Sequence, residues 1–339
     1  MDPIRFTREL IDIESTTGNE AQVGDFLAVR LAALGYDVQK GPVERHRFNV
    51  LALPRGVSSP RVVFSTHMDT VPPFIPSWED DRRVYGRGAC DAKGIIAAQT
   101  AAAQRLQAEH SVDVGLLFLV GEEKDSLGAK IANEHPIGSK FLVNGEPTEN
   151  KVALASKGAL RVELTAVGKM AHSAYPELGE SAIDKLVEAL HRLKKMHLPY
   201  NDEVGPCTMN IGVIEGGRAP NVIADHAKAQ ILIRLVGPSE DIRRNIVDGV
   251  RDLVKVEFPL EIPYAKLRTI PKLPTMIAAF TTDIPQLSNW GEPMLLGPGS
   301  IHVAHTENEF IDKEQLMRAV DIYTQVGKEL TGSALSVSP

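Results

Sequence analysis

The chain lacks the features that mark several protein classes. It has two cysteines, Cys90 and Cys207, in 339 residues. That is too few for a disulfide framework or a cysteine-rich zinc site, and it fits a reducing compartment. Positive charge is in deficit, with 37 Lys+Arg against 44 Asp+Glu and a net charge of −7. Binding a phosphate backbone needs clustered positive charge, so nucleic acid is not an expected partner. No run approaches the ~18 uninterrupted apolar residues of a membrane-spanning helix, so no membrane partner is expected. The opening MDPIRFTRELIDIES has no basic start followed by an apolar stretch, so no secretory leader is read there. Repeats and low-complexity tracts are missing as well. The expectation is a cytoplasmic, soluble protein. Its 43% hydrophobic and 24% charged residues are ordinary for that class. At 339 residues the chain exceeds one typical core, so two domains are expected.

What is present alternates strand and helix. Ile4 to Ile13 has helical apolar spacing. A second helix follows Thr17-Gly18-Asn19 and ends near Gly35, a suitable C-terminal cap. YDVQK, NVLALP and RVVFSTH then read as strands, the third buried and running into a loop. Ile95 to Leu106 is Ala-rich and helical. VGLLFLVGEE and KFLVNGEPTE each read as a buried strand ending in polar residues. This order implies an α/β domain, with a mostly parallel central sheet flanked by helices. From about Ser156 the texture changes. RVELTAVGK alternates apolar and polar residues, a helix spans Ser181 to Met196, and TMNIGVIEGG and HAKAQILIRLV read as two strands. A helix from Asp241 to Val256 and the strand VEFPLEIPYAKL complete a small α+β domain. Pro271 and Pro274 mark the return to the first domain, which ends in the helix Lys313 to Leu330. The expected division is therefore 1–155 and 270–339 for the larger domain, with 156–269 as a smaller insert.

Five places carry candidate chemistry. His67 and Asp69 flank Met68 at the end of RVVFSTH. Residues two apart on an extended chain point the same way, so Asp69 can hold the ring of His67 and fix which nitrogen faces a metal. Gly86 to Gly94 contains three glycines around Asp91, and a carboxylate in such a turn can be aimed by the backbone. Its spacing matches neither phosphate-binding fingerprint. Glu122 and Glu123 follow a buried strand. Their side chains diverge, so one can bind metal while the other acts as a general base. Glu146 follows the strand FLV, at the carboxyl end where open α/β sheets bind ligands. Gly297-Pro298-Gly299-Ser300 leads to His302 and His305. Each feature alone has an ordinary reading: a chance pair, a surface turn, a solvated acidic turn, a structural histidine. Together, His67, Asp91, Glu123, Glu146 and His305 offer two imidazoles and three carboxylates and no thiolate. That set suits zinc, cobalt or manganese, and it can hold two ions if one carboxylate bridges.

At this point the sequence resembles the dinuclear zinc exopeptidases and amidohydrolases. That family includes acetylornithine deacetylase, succinyl-diaminopimelate desuccinylase, aminoacylase and the glutamate carboxypeptidases. The matching strings are STHMDTVPP, YGRGACDAKG, GEEKDSLGA, NGEPT, GKMAHSAYPELGESAI, APNVIAD and LGPGSIHVAHTENEF, in the family's order and across nearly the whole chain. The resemblance implies two divalent metal ions. His67 and Glu146 would bind one, Glu123 and His305 the other, with Asp91 bridging and Asp69 orienting His67. It implies that Glu122 takes a proton from the metal-bridging water and passes it to the leaving amine. It implies that the insert is a lid that also dimerises. On it, His172 would steady the developing oxyanion, and Asn221 and Arg234 would bind the substrate carboxylate, with backbone near Gly299 also touching substrate. A planar Arg fork pairs well with a carboxylate.

The expected activity is a metal-dependent amide hydrolase. Small N-acyl amino acids come first among its expected substrates, because LGPGSIHVAHTENEF is most similar to acetylornithine deacetylase. A carrier-bound acyl-lysine or acyl-ornithine hydrolase stands next, then a di- or tripeptidase or a carboxypeptidase. A non-catalytic amino-acid-binding homologue is the rival of a different class. The retained Glu122 argues against it, since a binding protein has no need of a general base.

Overall fold

A computed structural model describes residues 1–109 and 113–332, and the chain divides into two compact units. The first takes Met1–Leu154, Leu267–Met276 and the chain from Thr282. Residues 333–339, part of the expected larger domain, lie outside the described residues. At its centre is a six-stranded sheet in the order Tyr36–Glu44, Arg47–Pro54, Val114–Leu119, Val62–His67, Phe141–Asn144, Glu292–Leu295. The last four strands run parallel. The first two form an antiparallel hairpin that joins Val114–Leu119 antiparallel. The expected mostly parallel sheet is therefore present, with an antiparallel edge.

Val62–His67, Val114–Leu119 and Phe141–Asn144 are buried at every position. Sheets covered on both faces have no solvent side, which is why these strands read as unbroken apolar runs. Helices Lys93–Ala108 and Lys313–Thr331 pack closely: a Cβ on Gly327 would meet Leu106 Cδ1 at 2.6 Å. Phe64, Ile95, Ile96, Leu316 and Tyr323 share the core with them. Full burial of one large apolar side chain contributes roughly 1.5–3 kcal/mol, so this cluster anchors the strand ends that matter below. Four parallel strands place four carboxyl ends on one edge of the sheet. The chain leaves that edge at His67, before Glu122, before Glu146 and before the turn at Gly297.

The second unit takes Ala155–Lys266 and Ile277–Thr281. Its four-stranded antiparallel sheet is ordered Thr208–Gly216, His226–Leu235, Gly158–Val167, Lys255–Ile262. Burial alternates along His226–Leu235, as it does when helices cover only one face. Helices Ala182–Lys194 and Glu240–Val250 supply that cover, with Leu186, Leu190, Ile242 and Ile246 packed among Val162 and Ile231. Among the described residues no helix is long and apolar enough to cross a membrane.

Two sequence expectations need correction. The helix expected to reach Val256 stops at Val250. Leu253 and Val254 continue the apolar spacing and mimic another turn, but both N–H groups fold back onto Val250 O, and a strand starts at Lys255. The unit boundaries also fall elsewhere than at 155/156 and 269/270, because Ile277–Thr281 returns to the second unit. There Ala278 O accepts the Lys157 N–H and Phe280 O accepts the Ser156 hydroxyl. Sequence reading also passed over the helix Leu127–Glu134 and the small sheet of Trp78–Glu79, Arg83–Tyr85 and Phe310–Asp312. These pieces are too short to show a period.

Candidate metal centre

All five proposed ligands belong to the first unit. His67 is the last residue of its strand and is 1% exposed. Its Nδ1 lies 3.0 Å from the Asp69 main-chain oxygen. A carbonyl only accepts, so Nδ1 carries the proton and Nε2 is left as the ligand nitrogen. Nε2 faces Asp91 Oδ1 at 2.9 Å. Asp91 sits in the glycine-rich turn before Lys93–Ala108, where Gly88 has φ +89° and a Cβ would strike the Lys93 side chain at 2.9 Å. The other Asp91 oxygen, Oδ2, lies 3.3 Å from His305 Nε2, which also meets Glu123 Oε1 at 3.0 Å. One carboxylate thus spans two imidazoles. Ligand atoms of His67, Asp91 and Glu123 all lie within 4.8 Å of one another. His305 itself has φ +65°, a left-handed conformation that costs a non-glycine residue about 1–2 kcal/mol.

Glu146 is buried, and among the described residues its Oε1 has no hydrogen-bond partner. Burial pushes its carboxyl well above the ordinary value, with the Glu122 charge adding to the push. Burial does the same to the partly exposed Glu122, against the counter-pull of His67. Burial alone would raise Asp91, yet its bonds to His305 and His67 hold it well below the usual range. Burial opposes charge on His67, but Asp69 and Asp91 hold its pKa well above ordinary. His305, bonded to Asp91 and Glu123, is pushed up to about 10. The carboxylates of this cluster thus favour positive charge beside them. Divalent cations meet that preference better, since binding them replaces the protons on the ligands. The orphaned Glu146 oxygen and the O/N donor set both fit such ions.

The Asp69 carboxylate has a further task. It stands 3.5 Å from His67 Nδ1, farther than its own main-chain oxygen. Its oxygens accept the Thr17 hydroxyl at 2.7 Å and the N–H groups of Glu122 and Glu123 at 3.1 and 3.3 Å. It thereby fixes the backbone that carries the adjacent glutamates. Against the push of burial, His67, Thr17 and the Glu122 N–H hold Asp69 below its ordinary pKa.

His172, Asn221 and Arg234 belong to the second unit. His172 and Asn221 are exposed neighbours, with the Ser173 N–H donating to Asn221 O at 3.0 Å. His172 Nδ1 accepts the Ala174 N–H, so Nε2 carries the proton of the neutral ring. The Arg234 side chain is half-buried and makes no ion pair or hydrogen bond among the described residues; desolvation alone lowers its pKa. Gly299, near which backbone was expected to touch substrate, has both backbone groups in internal hydrogen bonds. Its N–H donates to Gln315 Oε1 at 2.8 Å and its oxygen accepts the Glu149 N–H at 2.8 Å.

Four residues around the centre escaped sequence reading. Thr17 holds Asp69, and Arg87 and Glu309 form a buried pair at 2.7 Å beside Asp91. Asp283 is buried, and among the described residues neither of its oxygens is in a hydrogen bond of good geometry. Burial pushes it up to about 7, against the pull of the Ser126 side chain. Only the acidic character of TTDIPQ hinted at Asp283. Thr17, Arg87 and Glu309 lie in stretches that the sequence reading uses, the helix start and the strings YGRGACDAKG and LGPGSIHVAHTENEF, but nothing there gives them a role at the centre.

Comparison with known proteins gives three kinds of match. A family model described as a peptidase dimerisation domain matches residues 154–259, and one for peptidase family M28 matches 49–201. A Schizosaccharomyces pombe protein described as peptidase M20 domain-containing is 39% identical, over 95% of this chain and 83% of its own length. A probable carboxypeptidase of Aspergillus fumigatus is 38% identical, over 99% of this chain and 87% of its own. Among solved structures, a Staphylococcus aureus tripeptidase superposes with a TM-score of 0.83 at 23% identity, covering 98% of each chain. That last similarity is one of fold.

Proposed function

The chain belongs to the M20 family of metal-dependent peptidases and is a hydrolase of peptide or amide bonds; from that premise we propose that it cleaves the amide bond just before an amino acid with a free carboxylate. Removal of a C-terminal residue from a short peptide is the first form of that reaction, supported by the carboxypeptidase names of its relatives. Removal of an acyl group from a small N-acyl amino acid is the second. Support for it comes from the string LGPGSIHVAHTENEF. Both substrates present the same carboxylate beyond the scissile bond.

The observation that carries this reading is the convergence of His67, Asp91, Glu123 and His305, with Glu146 buried and unsatisfied nearby in charge. His67 and Glu146 would hold one ion, Glu123 and His305 the other, and Asp91 both. Zinc suits these ligands first, with cobalt or manganese as substitutes. When bound, the ions polarise the scissile carbonyl and make water a stronger nucleophile near neutral pH. Glu122 takes the proton of the attacking water and returns it to the leaving amine. Partial burial pushes its carboxyl up, the direction a proton shuttle uses. Asp69 keeps Glu122 and Glu123 in register through their N–H groups. The family resemblance gives His172 the role of steadying the oxyanion, and its Nε2–H is the donor it has for that. Arg234, whose side chain has no partner among the described residues, would receive the substrate carboxylate on its planar fork, and Asn221 would also bind that carboxylate.

The second unit also serves as a dimerisation surface in this reading. Its edge strand Thr208–Gly216 exposes Val213 and Ile214 at 41% and 61%, and Val187 on Ala182–Lys194 is 59% exposed. An apolar edge strand left in water is a pairing hazard, and a second copy would cover it.

A substrate panel tests the proposal. It contains N-blocked dipeptides, the same peptides with C-terminal amides, N-acetylornithine, N-succinyl-diaminopimelate and free dipeptides. The metal-loaded protein should turn over substrates with a free carboxylate, and amidation should abolish most of that turnover. Equal cleavage of amidated substrates, or none of any substrate, would refute it.

A further inference from the structure

Arg87 and Glu309 take no part in the chemistry described above, yet both are buried, with side chains 2% and 0% exposed. Arg87 lies in the turn that carries Asp91, and Glu309 in the segment that follows His305. Each reaches into the other's loop. Arg87 Nη1 donates to Glu309 Oε2 at 2.7 Å and to the Thr306 main-chain oxygen at 3.1 Å, one residue from His305. Arg87 Nε donates to Pro73 O at 3.3 Å. In return, Glu309 Oε1 accepts the N–H groups of Cys90 and Asp91, both at 3.2 Å. The Glu309 main-chain oxygen accepts the Gly86 N–H at 3.1 Å.

Asp91 is thus gripped by its N–H from one side while its two oxygens face His67 and His305 on the other. His305, in a left-handed backbone conformation, is steadied through the next carbonyl. Such a conformation persists only where its surroundings over-determine it. A buried ion pair adds little stability over well-packed apolar residues of similar volume. The rigid guanidinium does tie three segments together, through Nη1 to Glu309 and Thr306 and through Nε to Pro73. We propose that Arg87 and Glu309 form a crossed brace that sets the spacing of Asp91 and His305, and are therefore positioning residues of the metal centre. The inference rests on the metal reading above. Groups behind metal ligands commonly change affinity by about 10- to 100-fold when removed.

The test uses metal-free protein titrated with cobalt(II), followed by visible absorption and calorimetry. The double variant R87M/E309L removes both charges together, so neither is left buried alone. It should keep the native far-UV circular dichroism, bind cobalt about 10- to 100-fold more weakly, and show a changed absorption band. R87K keeps the charge and loses the fork, and should weaken cobalt binding several-fold with a smaller spectral change. If the double variant does not fold, R87K decides. A folded variant with a lowered melting temperature but wild-type cobalt affinity and spectrum overturns the brace, because it shows a purely structural pair. Wild-type protein that takes up no cobalt is a different failure, which overturns the metal reading and the brace with it.

Discussion

Replacing Asp69 by Asn isolates how one carboxylate supports the whole centre. Asp69 accepts three hydrogen bonds from Thr17, Glu122 and Glu123. Asn keeps one oxygen, which can still serve the Glu122 N–H. Its amide group then faces the Thr17 hydroxyl and the Glu123 N–H. The hydroxyl can rotate to accept, but the Glu123 N–H cannot, and a buried unpaired donor costs about 1–3 kcal/mol. The bond kept to Glu122 becomes neutral and loses roughly another 1 kcal/mol. The sum is roughly 2–4 kcal/mol, falling on the backbone of a ligand and of the proposed base. If half of it appears in metal affinity, the loss is about 5- to 30-fold. Isothermal titration of metal-free protein with zinc, beside thermal unfolding with and without metal, measures both shares. D69N that binds zinc as wild type does, and turns over at the wild-type rate, would refute the role given to Asp69.

Glu122→Gln should leave metal content unchanged and lower kcat by about 10²- to 10⁴-fold; elemental analysis beside a rate assay checks this, and unchanged turnover excludes Glu122 as the base. The metal-free protein should respond to pH through His305. Its pKa is raised to about 10 in the folded state, above the unfolded value near 6.5, so its stabilisation is full below ~6.5 and is lost as pH rises through about 10. His305→Gln should reduce this alkaline decline in melting temperature, leaving the share due to His67, and a decline of the same size in both proteins would count against it. Ile214→Asp should shift the protein from dimer to monomer in light scattering without altering its circular dichroism. A wild-type monomer, or a dimer that tolerates Asp at 214, would rule out that interface.

The sequence makes some of this molecule readable for physical reasons. Val62–His67, Val114–Leu119 and Phe141–Asn144 are covered on both faces, so their apolar runs stand out, and the acids and imidazole just past them mark the sheet's carboxyl edge. The alternation in His226–Leu235 likewise reports one buried face. What stayed hidden depends on contacts between distant segments. Arg87 and Glu309 look like ordinary surface charges until folding buries them against each other. Asp69 was expected to orient His67 through its carboxylate, but the nearer contact is its main-chain oxygen. The helix end at Val250 was misread because Leu253 and Val254 keep a helical spacing inside a turn. Gly299 sits where only folding brings Cys90 within 2.5 Å of a would-be Cβ, so its glycine answers a packing need.

The central claim is that His67, Asp91, Glu123, Glu146 and His305 gather around two divalent ions. Anomalous diffraction from crystals soaked in zinc, recorded on both sides of the zinc edge, tests it most directly. The account predicts two peaks, both in contact with Asp91, one beside His67 and Glu146 and the other beside Glu123 and His305. Peaks at other residues, or none at these five, would contradict it.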